Sequence, residues 1–292
     1  MGHDDIRIGT TLSIKHAAAY AKQLLPHGFE SFQFTGGFGV GLVDFKAIAD
    51  EVKPIVAGKA VISSIGYFGN PLKNPEDAVN FGKYIENAHH FGASIVIGFT
   101  GAIEGTKLPD QWPKFLEVWK PLVAKAKDCG VKIGFENCDM GGRWESPAWN
   151  LAHSPTAWQM MFNDLGTENV ALCWEPCHQM VSLIDPIPQL REIVPHIVNV
   201  HGKDATIAWD VLRRYGLRGG KPYVWHRTPG FGDTNWADVI TILRMNGYKG
   251  SIDIEGFHDP VYRGDLEWTG QVRGLNYLKQ CRGGEYVAAP KV

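Results

Sequence analysis

The chain has 292 residues, 44% of them hydrophobic, and 29 basic against 31 acidic side chains give a formal net charge of −2. That is enough apolar material for one large core, with no basic face of the kind that holds nucleic acid. No polybasic run and no apolar stretch of about 18 residues points to a membrane.

The N-terminus, MGHDDIRIGT, lacks an apolar signal core. Short apolar runs then alternate with longer amphipathic segments. Strands are expected at 7–13, 31–36, 60–68, 94–101, 131–137, 170–176, 196–203 and 251–256, since these runs are β-branched or aromatic and mostly end in Gly, Asn or Pro. Helical spacing of apolar residues appears at 42–52, 75–92, 108–130 and 235–250, and a last helix at about 266–281 would close the set. Several of these segments end in Gly, as a helix C-terminus prefers. The connection at 204–235 is long and rich in Gly and aromatic residues, which suits a loop folded over a site.

Strand followed by helix, repeated eight times, predicts parallel strands with right-handed crossovers and a (β/α)8 TIM barrel. A doubly wound open sheet is the alternative, weakened by the lack of a G-x-G-x-x-G after the first strand. No linker or low-complexity segment interrupts the chain, so one domain over 1–292 is expected. The cysteines (Cys129, Cys138, Cys173, Cys177 and Cys281) are odd in number and show no framework spacing, which reads as reduced thiols in a cytoplasmic protein. Cys173, Cys177 and the adjacent His178 admit either a zinc site or a plain packing role.

Four strands end on a group able to ligate metal. VKIGFEN ends on Glu136, VALCWEP on Glu175, HIVNVHGKD on His201 and SIDIEG on Glu255. In a barrel these ends converge on one mouth. Three carboxylates there would repel one another if all were ionised, and a divalent cation removes the conflict. Three oxygen donors and one imidazole suit Mn²⁺ first, with Mg²⁺ or Co²⁺ as alternatives. His178 and Arg227 are candidates for binding substrate hydroxyls or a carbonyl oxygen. Lys203 is a candidate electrophile, or with Asp204 a group orienting His201. His258 divides between substrate contact and a turn role. Trp144 divides between stacking on a sugar ring and core packing.

These residues carry a resemblance. WEPCHQ, HGKDA, TPGFGDTNW, NGYKG and DIEG occur in the order in which the xylose-isomerase-like barrel superfamily (the sugar phosphate isomerase/epimerases) has its Asp-Pro-Ser-His, His-x-Lys-Asp, Pro-Gly-x-Gly with a following Trp, Gly-Tyr-x-Gly and final Glu. The sequence resembles that superfamily over nearly its whole length. The resemblance implies that Glu136, Glu175, His201 and Glu255 ligate the metal, and that His178 and Arg227 contact substrate oxygens. It also implies that Glu136 and Glu255 move the proton. Glu175 stands where most relatives have Asp, EGFHDP replaces the commoner acidic run, and no Gly-rich loop offers a phosphate site.

The expected activity is a metal-dependent isomerase or epimerase of a keto sugar or related polyol ketone, working through a stabilised enediolate. The alternative is a lyase that eliminates a β-substituent from 3-keto-glycosides, such as the catalytic subunit of a C-glycoside deglycosidase. In that case Tyr215, Tyr223, Trp225 and Phe231 in the long loop would hold an aryl group. Expected partners are a sugar substrate and further copies of the chain, with a small second subunit in the deglycosidase case.

Overall fold

The computed structural model describes residues 5–283 together with 287 and 290, so the expected domain of 1–292 extends past the described residues at both ends. Its strands are β1 (Arg7–Ser13), β2 (Ser31–Gly37), β3 (Val61–Phe68), β4 (Ile95–Gly98), β5 (Lys132–Glu136), β6 (Val170–Trp174), β7 (Ile197–Gly202), β8 (Asp204–Ile207), β9 (Val224–Arg227) and β10 (Ser251–Ile254). Eight of them close into a parallel barrel in the order β1-β10-β7-β6-β5-β4-β3-β2. The open-sheet alternative is thereby set aside. Strands β8 and β9 form a separate antiparallel ribbon in which Asp204 pairs with Arg227 and Ala205 with His226.

The helices between the strands are α1 (Ala17–Leu24), α2 (Phe45–Val56), α3 (Pro75–Asn87), α4 (Trp112–Asp128), α5 (Pro155–Leu165), α6 (Pro176–Val181), α7 (Pro186–Ile193), α8 (Trp209–Tyr215), α9 (Trp236–Met245) and α10 (Glu267–Arg282). Side chains start several of them. Asp44, Ser154, Asp185 and Asn235 accept hydrogen bonds from backbone amides in the first turns of α2, α5, α7 and α9. Each such cap contributes about 1 kcal/mol by satisfying an amide that the helix leaves free.

Most of the core lies between the barrel and the helix ring. Trp119 of α4 meets Phe135 of β5 edge-on at 4.6 Å and Phe81 of α3 at 4.9 Å, and it is fully buried. Truncating such a residue to Ala costs about 3–5 kcal/mol. Inside the barrel the packing is partly polar. The Asp253 carboxylate of β10 accepts from Ser31 (2.6 Å), Ser63 (2.7 Å) and Asn199 (2.9 Å), and so ties β2, β3 and β7 to β10. Position 9 of β1 must be glycine here, because a Cβ would come within 2.3 Å of that carboxylate.

The stretch 204–235 is not a plain loop. It leaves β7 as β8, forms α8, returns as β9, and only then reaches α9. Helix α8 buries none of its residues, so the ribbon, not the core, holds this excursion in place.

Candidate metal centre at the barrel mouth

Parallel strands bring their carboxyl ends to one rim, and four of those ends converge here. Glu136 is the last residue of β5 and His201 lies in β7, while Glu175 and Glu255 each sit one residue beyond their strands. One ligating atom from each of the four lies within 4.8 Å of the other three. Asn137 fixes the backbone at Glu175: its amide donates to the Glu175 carbonyl (2.9 Å) and accepts from the Glu175 amide (2.7 Å).

His201 determines what can sit between these groups. Its Nε2 lies 2.8 Å from Gln33 Oε1, an oxygen that already accepts from Thr11 Oγ1 at 2.8 Å. Nε2 therefore carries the hydrogen, which leaves a lone pair on Nδ1. That lone pair faces Glu136 Oε2 at 3.4 Å and Glu255 Oε2 at 3.2 Å. Nδ1 of His201 and Oε2 of Glu255 are buried without a hydrogen-bond partner. Buried acceptors turned toward one another without a donor are costly, and a shared cation satisfies all of them. The residues present thus fit a divalent ion, with three carboxylates and one imidazole able to hold it.

The charges around this centre are unequally balanced. Burial, followed by the charges of Glu175 and Glu255, pushes Glu136 well above the usual carboxylate range. Burial acts the same way on Glu255, but Lys203 overcomes it and holds Glu255 well below that range. Lys203 is itself buried, with Nζ 2.8 Å from Glu255 and 4.0 Å from Glu175. His178 sits in α6 with Nε2 2.9 Å from Glu175 Oε1 and Nδ1 3.1 Å from Asp139.

A cavity of about 910 Å³ opens above the centre, and Glu136, His178, His201, Lys203, Glu255 and His258 all line it. His258 is half exposed, with Nε2 3.8 Å from Glu255. Arg227 and Trp144 lie outside the lining. The Arg227 guanidinium donates to Asp259 at 3.1 Å, which ties β9 to the loop before α10. Alternation along β9 explains the placement: Val224 and His226 face the cavity, and Arg227 takes the other side. Trp144 packs against the main core, and its carbonyl accepts from Leu108. Asp204 does not orient His201. It accepts from Ala205, Thr234 and Trp236 instead, and Gln33 holds the imidazole. Of the expected aryl-binding residues only Tyr223 lines the cavity; Phe231 packs on Tyr262, and Trp225 and Tyr215 are exposed.

The Cys173–Cys177–His178 trio also separates. Cys173 faces Asn199 inside the barrel, and His226 takes its place beside Cys177 and His178. Gln33, Asp139 and His226 were not singled out by sequence. Gln33 and Asp139 are recognisable only through their partners, Gln33 from a strand three places away in the barrel. His226, directly before Arg227, would have followed from reading 224–227 as a strand.

A family model for the xylose isomerase-like TIM barrel matches residues 21–281. The chain belongs to that family. Among curated proteins, it is 28% identical over 225 residues to the uncharacterized protein YfiH of Bacillus subtilis, covering 64% of this chain and 68% of that protein. It is 26% identical over 184 residues to the inosose dehydratase of Clostridium perfringens, covering 59% of this chain and 55% of the dehydratase. The chain thus aligns with only about half of the dehydratase's length. Among solved structures, a xylose isomerase domain protein from Planctomyces limnophilus superposes with a TM-score of 0.72 at 16% identity, covering 96% of this chain and 98% of that one. An L-ribulose 3-epimerase superposes with a TM-score of 0.66 at 16% identity, over 95% and 96% of the two chains. Likenesses at such identities establish the shared barrel. Among the described residues, no helix is long and apolar enough to cross a membrane.

Proposed function

We propose that this protein is a divalent-metal-dependent isomerase or epimerase of a keto sugar or related polyol ketone. The observation that carries the reading is the buried lone pair of His201 Nδ1 turned toward two carboxylate oxygens, with Glu175 completing a hard donor set. Mn²⁺ is the proposed ion, with Mg²⁺ and Co²⁺ acceptable to the same donors. Glu136, Glu175, His201 and Glu255 would hold it, and it would supply Lewis acidity to a substrate carbonyl and the neighbouring hydroxyl.

The chain's own groups do the proton work. Glu136, whose surroundings raise its proton affinity, is suited to take a proton from the carbon next to a carbonyl. Glu255, held ionised by Lys203, is the second proton carrier. His178, held between Asp139 and Glu175, lines the substrate cavity, and Lys203 and His258 offer polar contacts there. Arg227 and Trp144 would act only indirectly, by tying the ribbon and the rim in place.

Elimination from the same enolate is the second reading. Support comes from the resemblance to an inosose dehydratase, and a lyase acting on 3-keto-glycosides falls under it. Five free cysteines support a cytoplasmic setting. Trp209, Tyr215 and Leu217, exposed on and beside α8, support assembly into a homo-oligomer, or with a small second subunit in the lyase case.

The test is deuterium incorporation from D₂O into ketohexoses and 3-keto-glycosides by Mn²⁺-loaded protein, with metal content measured in parallel. Exchange that depends on metal is expected. Full exchange in demetallated protein would overturn the reading.

A further inference from the structure

The cavity above the metal centre has two unlike halves, and the strand order sets them face to face. In the ring of eight, β2, β3 and β4 stand four places from β6, β7 and β10. The second group brings Glu175, His201 and Glu255. The first brings three phenylalanines at the same height: Phe38 just after β2, Phe68 at the end of β3 and Phe99 just after β4. Phe68 and Phe99 meet edge-on at 4.9 Å, and Phe38 lies nearly parallel to Phe68 at 6.4 Å and edge-on to Phe99 at 6.2 Å. Trp149 backs Phe38 at 5.7 Å.

Two features separate this wall from ordinary core. Phe38 is 65% exposed although three aromatic rings surround it, so one of its faces remains open. Its backbone is also left-handed, at φ 49°, as are Met140 (φ 49°) and Phe257 (φ 73°), which line the same cavity, and Trp149 (φ 58°) behind it. Bulky side chains rarely adopt this region, and such residues cluster at ligand sites. Among the described residues, the only other non-glycine residue with positive φ is Leu183.

We infer that the substrate is a polyol ketone bearing an aromatic ring, with its oxygens at the carboxylate centre and its ring against Phe38, Phe68 and Phe99. The inference rests on the proposed function for its polar end and goes beyond it for the other. A volume of about 910 Å³ lies near the top of the range of about 300–1,000 Å³ for sites that bury a drug-sized ligand. A small sugar on the metal centre would leave the phenylalanine wall wet. A flat ring covers it and gains edge-to-face and offset contacts that an aliphatic chain lacks. The wall lies away from the segment 204–235, where sequence had placed the aryl contacts.

Calorimetric titration of Mn²⁺-loaded protein with phenyl and methyl 3-keto-β-D-glucoside tests this. The phenyl compound is expected to bind at least about tenfold more tightly, which is 1.4 kcal/mol. The ratio is expected to fall toward one in Phe38→Ala, an exposed position that the fold does not need, and to fall in part in Phe68→Leu. A ratio near one in the unaltered protein, an unchanged ratio in both variants, or no binding of either compound would overturn the inference. Deuterium exchange on the same two compounds reports separately on the proposed reaction. Binding with the expected ratio but without exchange sinks the reaction and keeps the wall, whereas exchange with a ratio near one does the reverse.

Discussion

The two ends of the barrel treat charge in opposite ways. At the amino ends of the strands, Glu30 and Asp5 each have a cation of their own. Glu30, just before β2, is held by both guanidinium nitrogens of Arg282, at 2.5 and 2.9 Å, and Lys279 lies 3.4 Å away. Asp5, before β1, pairs with Arg244 at the end of α9. At the carboxyl ends, Glu175 and Glu255 share one buried lysine, and Glu136 and Glu255 face the acceptor Nδ1 of His201. The lower end spends its charges on joining helix ends to strand starts. The upper end gathers three carboxylates and an imidazole around one point, as expected where stability and activity compete for the same fold.

The sharpest way to break this comparison is to neutralise the upper end. Glu136→Gln is expected to slow deuterium exchange by about 10²–10⁴-fold, the usual size of a lost general base. In chelated protein the same change is expected to leave stability within about 1 kcal/mol, because Glu136 is already pushed toward its neutral form and Gln has its shape. Exchange assays and denaturant titration check the two halves. Normal exchange would place the base elsewhere, and a large stability loss would make Glu136 a structural residue like those of the lower end.

Lys203→Met reverses the pattern. It leaves Glu255 and Glu175 buried without their cation, so chelated protein is expected to lose about 3–5 kcal/mol. Loading Mn²⁺ is expected to restore part of that loss, since the ion takes over the lysine's role. Equal losses with and without metal would show that Lys203 acts by packing alone. In the unaltered protein, Mn²⁺ at a hundredfold excess over its Kd is expected to add about 2.7 kcal/mol. Thermal melts with and without chelator measure it, and no shift would argue against a cation at this centre.

The upper end was more legible in sequence than the contacts around it. All eight barrel strands follow from short β-branched runs, and four strand ends carry the candidate ligating groups in plain view, because a strand's end fixes where its next residue points. Arg227 shows the limit. Its segment was read as loop, but it is a strand, and period-two alternation turns His226 inward and Arg227 toward Asp259. Trp144 takes the second of its two expected roles and packs against the main core, a choice that its sequence neighbours do not decide. The phenylalanine wall was missed because Phe38, Phe68 and Phe99 are far apart in sequence and converge only when the barrel closes.

The smallest expected effect tests the lower end and depends on pH. Burial alone would raise Glu30, but the Arg282 guanidinium and the Ile8 amide override it and hold the carboxyl below its usual value. A carboxylate depressed in the folded state binds fewer protons there than when unfolded. Its contribution is therefore complete above the unfolded glutamate pKa of about 4.3 and disappears as pH falls through the lower folded value. Glu30→Gln should cost about 1 kcal/mol at pH 7, discounted for an exposure near one third, and the difference from the unaltered protein should shrink toward zero below about pH 4. Exchange rates at pH 7 should not change, because the pair lies at the far end of the barrel from Glu136. Denaturant midpoints at pH 7 and pH 3 decide the matter. A deficit that persists in acid would mean that Glu30 acts through shape and not charge, and a fall in exchange would mean that the two ends are coupled through β2 and Gln33.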